Sequence, residues 1–212
     1  MMRRLLIIGS GGHGRAVLGC VVAISAFDVV EFATNVDDPE PIPGYRILDE
    51  RAMAPDGIAS EYDAVVVAIG DNRARLEKVE RLARVGASLP AIVHPSATVS
   101  QLAEVGPATV VMAGAAVNPF ARVGAGCIVN TGAVVEHDCS VGDGAHLSPN
   151  SAIGGGASVG KRTWLCIGSS VADHVALADD SVLAGGSCLV ADAPKSGLYA
   201  GVPAVLKREA SI

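Results

Sequence analysis

Residues 123–147 read VGAGCIVNTGAVVEHDCSVGDGAHL, and an aliphatic residue returns at every sixth position of this stretch. The same spacing extends in both directions without a break, from Val93 to Leu189. Four residues after each aliphatic position the side chain is short, as in Ala133 and Cys139. The aliphatic series consists of Val93, Val99, Val105, Val111, Val117, Val123, Val129, Val135, Val141, Leu147, Ile153, Val159, Leu165, Val171, Leu177, Leu183 and Leu189.

This double period, a six-residue period of aliphatic residues with short residues four positions later, distinguishes a β-helix from an α-helix and from a simple strand meander. The apolar stripe of an α-helix recurs every 3.6 residues and a simple strand meander alternates with period two, so neither produces a fixed period of six. Hexapeptide repeats are typical of parallel β-helices, in which three repeats, about 18 residues, close one triangular coil. The sequence therefore predicts a prism of about five coils, with the aliphatic residues inside and the short ones near its corners.

The composition of the chain agrees with a solenoid. Half of the 212 residues are hydrophobic but only 3% are aromatic, and 25 are glycine, which suits a core of small and β-branched side chains. A net charge of −6 without any Lys or Arg run disfavours nucleic acid or an anionic membrane as partner. The five cysteines form no CxxC pair, and the short apolar stretch before the first glycines is neither a signal peptide nor a membrane span. We therefore expect reduced cysteines and a cytoplasmic protein.

The residues before the repeat predict a second, smaller fold. The strand RLLII (residues 4–8) leads into GSGGHG (residues 9–14), and an apolar-periodic segment with helical spacing follows at residues 15–24. Further strands are expected at residues 29–36 and 62–70, the latter followed by a charged helix, which together indicate a small parallel sheet. We divide the chain into an α/β domain (residues 1–90) and a β-helix domain with a C-terminal cap (residues 91–212).

The glycine loop of this domain indicates a ligand. Its GxGxxG pattern lets phosphates approach the N-terminus of a helix. Asp37 and Asp38 follow the second strand, near the position of a ribose-binding acid, and Gly70 ends the third strand. A nicotinamide dehydrogenase is disfavoured because about 90 residues hold only one mononucleotide-binding half. We favour phosphate or nucleotide contact over a purely structural turn, and His13 inside the loop points away from a dinucleotide.

The histidines supply a candidate base. His137 and His146 occupy no inward aliphatic position, so both should project from the prism. His137 lies between Glu136 and Asp138, and a neighbouring carboxylate can fix the tautomer of an imidazole and raise its basicity. Acetyl transfer from a thioester needs such a base and donors for an oxyanion. We therefore take His137 as the base and Asp138 as its orienting group; Cys139 should face inward, which argues against a Cys–His nucleophile.

The repeat by itself leaves other functions open. A hexapeptide solenoid can be a scaffold, or a zinc enzyme of the trimeric β-helix carbonic anhydrase type. Such zinc sites use three histidines, two of them five residues apart, whereas His137 and His146 are nine apart. Neither His94 nor His174 supplies a third ligand at a suitable spacing, so we expect no metal.

Six segments in this order carry a resemblance to a known family. They are GSGGHG (9–14), VDD (36–38), AIGDN (68–72), the hexapeptide prism, EHD (136–138) and AGVPA (200–204). Together they resemble, over nearly the whole chain, the bacterial sugar O- and N-acetyltransferases of the hexapeptide-repeat class. That family includes the UDP-4-amino-sugar N-acetyltransferase of bacillosamine synthesis, perosamine N-acetyltransferase and sialic acid O-acetyltransferase. The resemblance implies a left-handed parallel β-helix, a homotrimer with active sites between neighbouring prisms, and acetyl-CoA as co-substrate.

The resemblance also implies roles for individual residues. Contacts to the nucleotide sugar are implied for Gly12, His13, Gly14, Asp37, Asp38 and Gly70. Contacts to acetyl-CoA are implied for His146, Ile167 and Gly185, with Asn130 near the reacting centre. His137 matches the catalytic base of the family, and Asp138 stands where the typical member has Glu.

We therefore expect an enzyme that moves an acetyl group from acetyl-CoA to the amine of a nucleotide-linked amino-deoxy sugar, such as a UDP- or GDP-4-amino-4,6-dideoxy sugar. The sugar amine would attack the thioester directly, with His137 as general base and without a covalent enzyme intermediate. Two alternatives stay open at this point. One is an O-acetyltransferase acting on a sialic acid or another sugar hydroxyl, and the other is a noncatalytic nucleotide-sugar-binding scaffold.

Overall fold

The computed structural model describes residues 2–210, which form an α/β domain followed by a long triangular prism of short strands. The elements of the α/β domain are β1 (Arg4–Ile8), α1 (Gly12–Ile24), β2 (Val29–Thr34), β3 (Ile47–Asp49), a 3₁₀ turn (Glu50–Ala52), α2 (Pro55–Glu61), β4 (Ala64–Val67) and α3 (Asn72–Arg84). The four strands are parallel and lie in the order β3-β2-β1-β4. The small parallel sheet predicted from the sequence is confirmed.

Helices cover both faces of this sheet. Leu5 and Ile7 of β1 pack with α1, whereas Leu6 and Ile8 pack with α2 and α3. Continuous apolar runs such as RLLII and AVVV are what a doubly covered parallel sheet requires. Because α1 and α3 lie on opposite sides, the crevice between β1 and β4 is the switch point at which such sheets bind ligands.

Two elements of the α/β domain were not expected from the sequence. Both β3 and α2 lie in residues 41–62, where prolines and glycines interrupt any long apolar period. α2 begins at Pro55, whose missing amide hydrogen costs nothing in a first helical turn. α1 begins at Gly12, earlier than the apolar period indicated, because the last residues of the glycine loop are already helical.

The prism contains seventeen two-residue strands that start six residues apart. They are β5 (Ile92–Val93), β6 (Thr98–Val99), β7 (Glu104–Val105), β8 (Val110–Val111), β9 (Ala116–Val117), β10 (Arg122–Val123), β11 (Ile128–Val129), β12 (Val134–Val135), β13 (Ser140–Val141), β14 (His146–Leu147), β15 (Ala152–Ile153), β16 (Ser158–Val159), β17 (Trp164–Leu165), β18 (Ser170–Val171), β19 (Ala176–Leu177), β20 (Val182–Leu183) and β21 (Cys188–Leu189). The second residue of each strand points inward, and Val117, Val129, Leu147 and Leu165 are fully buried in one continuous core. Both positions of the predicted double period are confirmed, since the short residues such as Ala133 are buried beside them.

Every third strand belongs to the same face of the prism. The first face contains β5, β8, β11, β14, β17 and β20, the second contains β6, β9, β12, β15, β18 and β21, and the third contains β7, β10, β13, β16 and β19. We name the corners by the faces they join. The 1–2 corner includes residues 130–133, 166–169 and 184–187, the 2–3 corner residues 118–121, 136–139 and 154–157, and the 3–1 corner residues 124–127, 142–145 and 160–163. In a triangular prism the 2–3 corner lies opposite the first face.

One residue in nearly every corner adopts a left-handed backbone, which the sequence analysis did not anticipate. These residues recur every six positions with φ between +52° and +68°: Ala108, Gly114, Phe120, Gly126, Gly132, Asp138, Gly144, Asn150, Gly156, Arg162, Gly168, His174, Asp180 and Gly186. Most are Gly, Asn or Asp, the residue types for which this conformation costs least. Asp138 therefore has a structural reason to be Asp besides any chemical one.

The α/β domain packs on the prism through two helices. Val17 of α1 shares a hydrophobic core with Ile92 of the first face. α3 crosses the 3–1 corner, where a Cβ on Gly144 would lie only 3.1 Å from the Cβ of Leu76. Glycine at this corner therefore lets the helix approach the turn closely.

The C-terminal residues extend the first face. β22 (Gly197–Gly201) runs parallel to β20, and β23 (Ala204–Glu209) returns antiparallel to β22. Within residues 2–210, no helix combines the length and apolar character needed to cross a bilayer.

Strand β13 offers a matched test of the inward register. Val141 is 3% exposed, whereas the side chain of the preceding Ser140 points outward and is exposed. Val141→Ala should lower the free energy of unfolding by about 2 kcal/mol, since it removes two buried methyl groups and leaves a cavity. Ser140→Ala should stay within about 0.5 kcal/mol of wild type. Chemical denaturation at one protein concentration measures both, and equal losses would contradict the register.

Candidate active site

The glycine loop places the N-terminus of α1 beside the end of β4. Gly9 has φ +113°, and a Cβ there would lie 2.5 Å from the carbonyl oxygen of Ala68. A Cβ on Gly14 would lie 2.0 Å from the carbonyl oxygen of Gly9, so both glycines are required by the turn itself. Gly11 and Gly12 face open space. The first amides of α1 have no acceptor within the helix, which makes this end suited to an anion.

Three aromatic side chains continue from this loop onto the first face. The ring of His13 lies 6.4 Å from the ring of His146, measured between centroids. His146 stacks on Trp164 at 5.8 Å with an interplanar angle of 8°. Nε2 of His13 is buried and has no hydrogen-bond partner within the described part of the chain. An orphaned ring nitrogen of this kind is a position that a ligand can satisfy.

Both histidines of this group are neutral at physiological pH. Burial, and then the charge of Arg75, lowers the pKa of His13 to about 4. The pKa of His146 is lowered to about 3 by burial, by Arg75 and by His13. Each imidazole therefore presents one donor and one acceptor nitrogen.

Asn130 determines which nitrogen of His146 carries the proton. Oδ1 of Asn130 accepts from the backbone amide of Thr131 at 2.8 Å, which leaves Nδ2 facing Nε2 of His146 at 3.3 Å. Since Nδ2 can only donate, Nε2 of His146 is the acceptor and Nδ1 holds the hydrogen. Asn130 thus orients His146 as a donor through Nδ1.

A cavity of about 560 Å³ lies between the start of α3 and the first face. Its walls include Gly70, Asn72, His146 and Trp164. Nδ2 of Asn72 donates to the carbonyl of Arg162 at 2.9 Å, so the loop after β4 is tied directly to the prism. The cavity therefore lies where the α/β domain and the β-helix meet.

Ile167 and Gly185 lie further along the prism, at the 1–2 corner. They occupy equivalent positions in consecutive coils, and a Cβ on Gly185 would lie 3.3 Å from the carbonyl oxygen of Ile167. Ile167 is 62% exposed although it is apolar. Asn130 lies at the same corner, so these residues and the neighbouring His146 follow one edge of the prism.

His137 and Asp138 form a separate pair at the 2–3 corner. Nδ1 of His137 lies 2.7 Å from Oδ2 of Asp138, and both side chains are more than half exposed. The hydrogen bond to Asp138 raises the pKa of His137, with further contributions from the charges of Asp138, Glu136 and Asp173. A Cβ on Gly155 would lie 2.7 Å from Nε2 of His137, so glycine makes room for the ring. With Nδ1 engaged, Nε2 is the nitrogen left to accept a proton.

Asp37 and Asp38 lie in the exposed segment after β2. Asp37 accepts a hydrogen bond from Arg51 at 2.8 Å, and Asp38 has φ +50°. Both follow the carboxyl end of β2, at the same edge of the sheet as the glycine loop and Gly70.

The structure therefore brings together some, but not all, of the residues indicated by the sequence. Within one chain it groups the glycine loop, Gly70 and His146 around the domain junction. It places His137 and Asp138 at the corner opposite the first face. Both His137 and His146 project outward from the prism as expected, but His146 is partly covered by the α/β domain. Cys139 faces inward as predicted, with Sγ 3.0 Å from the carbonyl oxygen of Gly154.

Sequence reasoning missed two residues of this region. Trp164 is the only tryptophan and stands at an outward position of a repeat that otherwise has few aromatics, a signal that could have identified it. Arg75 lies on a helix rich in charged residues, and nothing in the sequence distinguishes it from its exposed neighbours. Within residues 2–210 no group of three or more His, Cys, Asp and Glu side chains is arranged to hold a metal ion.

Comparisons with known proteins place this geometry in a family. The model of the PglD N-terminal domain family matches residues 4–82. A histidine-to-asparagine variant of perosamine N-acetyltransferase from Caulobacter crescentus, solved with CoA and GDP-perosamine, is 36% identical with a TM-score of 0.91, and the match covers 99% of each chain. The acetyltransferase domain of PglB from Neisseria gonorrhoeae FA1090, solved with acetyl coenzyme A, is 31% identical with a TM-score of 0.88, covering 97% of this chain and 100% of that one.

WeeI from Acinetobacter baumannii AYE has the same fold at 17% identity, with a TM-score of 0.57 and coverage of 96% of this chain and 99% of that one. No curated protein sequence matches the chain at the same stringency. The agreement with the solved enzymes confirms the predicted architecture, a small parallel α/β domain followed by a left-handed parallel β-helix. With more than 30% identity over nearly the full length of two such enzymes, the chain belongs to the bacterial sugar N-acetyltransferase family.

Proposed function

We propose that the protein transfers the acetyl group of acetyl-CoA to the amine of a nucleotide-linked amino-deoxy sugar. The observation that carries the chemistry is the His137–Asp138 pair, with a 2.7 Å hydrogen bond on Nδ1 and Nε2 left to accept a proton. Similarity along 99% of the chain to an enzyme solved with CoA and GDP-perosamine supports the two substrate classes. In this proposal residues 1–90 bind the nucleotide sugar and residues 91–212 carry out acetyl transfer.

The nucleotide sugar fits the α/β domain. Gly12, His13 and Gly14 form the first turn of α1, whose free amides suit a pyrophosphate. The orphaned Nε2 of His13 offers a further polar contact. Asp37 and Asp38 follow β2 and Gly70 follows β4, the two strands that flank β1. These positions lie at the carboxyl edge of the sheet, where the nucleoside of such a ligand would lie.

Acetyl-CoA fits the edge of the prism that carries His146, Ile167 and Gly185. The exposed apolar side chain of Ile167 and the uncovered Gly185 suit an extended, partly apolar arm. His146, held by Asn130 as an Nδ1 donor, lies at the end of this edge nearest the glycine loop. Acetyl-CoA supplies a carbonyl that is already activated as a thioester.

The protein then has to remove one proton from the attacking amine and stabilise the negative charge that develops on the carbonyl oxygen. Nε2 of His137 takes the proton that the sugar amine loses when it attacks the carbonyl carbon. Asp138 holds the Nδ1 hydrogen and stabilises the imidazolium that forms. The developing oxyanion is met by backbone amides, and the thiol of CoA leaves with the proton that His137 returns. Direct transfer of this kind needs neither a metal nor a covalent enzyme intermediate.

The proposal includes a homotrimer, because one chain does not bring its own groups together. His137 lies at the 2–3 corner, which is opposite the first face that carries His146. The 2–3 corner also exposes the apolar side chains of Leu102 and Phe120, each at 59%. Packing this corner against the first face of the next copy, closed by threefold rotation, would cover them and assemble three equal sites. A cytoplasmic location, where five free thiols would stay reduced, belongs to the same proposal.

The function is tested by offering acetyl-CoA with UDP-, GDP- and CMP-linked sugars and measuring the free thiol of CoA. We expect release that depends on a nucleotide-linked amino sugar and an N-acetylated product by mass spectrometry. His137→Ala should lower kcat by about 100-fold or more, since it removes the base. His94→Ala, at a histidine outside the site, is the matched control. Activity of His137→Ala within a few-fold of wild type would exclude His137 as the base. Acetyl transfer to a sugar hydroxyl would establish the O-acetyltransferase alternative. Ligand binding without acetyl transfer would establish a noncatalytic scaffold.

The pH profile tests the role of Asp138. Because its carboxylate favours the charged imidazole, it raises the pKa of His137, and kcat/KM should fall as the pH drops through that raised pKa. Asp138→Asn removes the charge, so the acidic limb should move to lower pH, and kcat should drop by about 10-fold or more as the tautomer is no longer held. Asp173→Asn, at a more remote carboxylate, should shift the limb less. An unchanged acidic limb in Asp138→Asn would rule out this pairing.

Subunit complementation tests the shared site. His137→Ala and His146→Ala, each expressed alone, should have low activity. Mixed trimers, co-expressed with two different tags and purified through both, carry one site in three with both histidines intact, so about one third of wild-type activity should return. Mixed-tag trimers of a single variant are the control. No recovery in the mixed trimers would place both histidines in a site made by one chain.

A further inference from the structure

Arg75 of α3 is a buried cation without a carboxylate partner. Its side chain is the largest of the fully buried ones, with 1% exposed. The guanidinium hydrogen bonds formed within residues 2–210 go only to carbonyl and amide oxygens. Burying a charge is costly unless every hydrogen-bonding group is satisfied, so this arrangement needs a reason.

All five N–H groups of this guanidinium are engaged. The acceptors are the carbonyl of Gly126 for Nε (2.8 Å), those of Ile69 and Gly70 for Nη1 (2.9 and 3.2 Å), and Oδ1 of Asn72 and the carbonyl of Gly144 for Nη2 (2.8 and 2.7 Å). Only arginine offers five donors in a rigid plane. The side chain thereby joins the end of β4 to two consecutive turns of the 3–1 corner.

This junction borders the candidate site on both sides. Gly70 lines the cavity on the side of the α/β domain, and Gly144 precedes His146 by two residues. The bonds of Arg75 to both carbonyls hold the two walls in one relative position. The hydrogen bond from Arg75 to Gly144 joins residues that are 69 positions apart in sequence, and it fixes the geometry of the cavity.

The charge of Arg75 also acts on the two neighbouring imidazoles. After burial, it is the largest cause of the lowered pKa values of His13 and His146. The two arginines that line the cavity, Arg73 and Arg162, share one carboxylate partner, Asp180. Asp71 accepts the amide hydrogen of Ala74 at the start of α3. Within residues 2–210 Arg75 forms no ion pair, although the charge of Asp71 acts on its guanidinium at longer range.

We propose that Arg75 is a positioning residue of the site, which holds Gly70 against the prism and whose charge, together with burial, disfavours protonation of the His13–His146 pair. Two neutral imidazoles can accept as well as donate hydrogen bonds, so they can bind the hydroxyl and amide groups of a sugar. Charged imidazoles would only donate, and they would attract the phosphates of the ligand instead. The buried guanidinium meanwhile supplies a permanent positive field for the anionic ligand. The role in sugar recognition rests on the proposed function, whereas the effect on the histidines does not.

Histidine ring titration by NMR tests the proposal without any assay of activity. Signals are assigned with His13→Gln and His146→Gln. In the wild-type protein both rings should stay neutral down to about pH 5. Arg75→Met should raise both titration midpoints by about one pH unit, part of the way to the ordinary value because burial persists. Arg75→Lys, which keeps the charge, should leave them low, and Arg84→Met, which removes an exposed cation of the same helix, should leave them unchanged.

Midpoints near 6.5 in the wild-type protein, or unchanged midpoints in a folded Arg75→Met variant, would overturn the proposal. If Arg75→Met does not fold, Arg75→Lys serves instead. Histidine midpoints near 6.5 in that variant would overturn the proposal, since the positive charge is still present. In the acetylation assay, Arg75→Met should raise the KM for the nucleotide sugar about twofold more at pH 5 than at pH 8, with kcat less affected. Failure of the proposed function would remove that assay but leave the titration result intact.

Discussion

The six-residue register of the prism is the constraint on which the rest of the structure depends. Each repeat places one aliphatic side chain inside, and nearly every corner turns at a residue with a left-handed backbone. Equivalent outward positions of successive coils are therefore stacked above one another. A side chain needs only the correct place in the repeat to reach a given face or corner. His137 and Asp138 thus share one turn, and Gly155 in the next coil leaves room for the ring above it.

The contact between the two domains depends on a different interaction. Backbone carbonyls of Gly126 and Gly144 at the 3–1 corner accept hydrogen bonds from α3, and the missing side chain of Gly144 lets the helix come near enough to form them. Arg75 spans this contact with hydrogen bonds to both sides. Gly70 after β4 and His146 of the first face consequently line one cavity, although they are more than 70 residues apart in sequence.

Three histidines in this chain have different environments and therefore different chemistry. His13 and His146 are neutral because burial, and secondarily the charge of Arg75, lowers the pKa of both rings. His137 is exposed beside a carboxylate, so it gains basicity. The first two are suited to hydrogen bonding of a substrate and the third to proton transfer. Because these groups lie on opposite sides of the prism, we propose a site that neighbouring copies share.

The sequence by itself determined the β-helix, its number of coils, the parallel α/β domain and the outward projection of His137, because each of these follows from a local period or pattern. It also indicated the individual site residues through a family resemblance, and their roles stay predictions. Tertiary structure alone decided that His146 is partly covered and neutral, and that Arg75, which looks like any other charged helix residue, is buried at the domain contact. The reason is that burial and electric field depend on which distant segments pack together, and no local pattern records that.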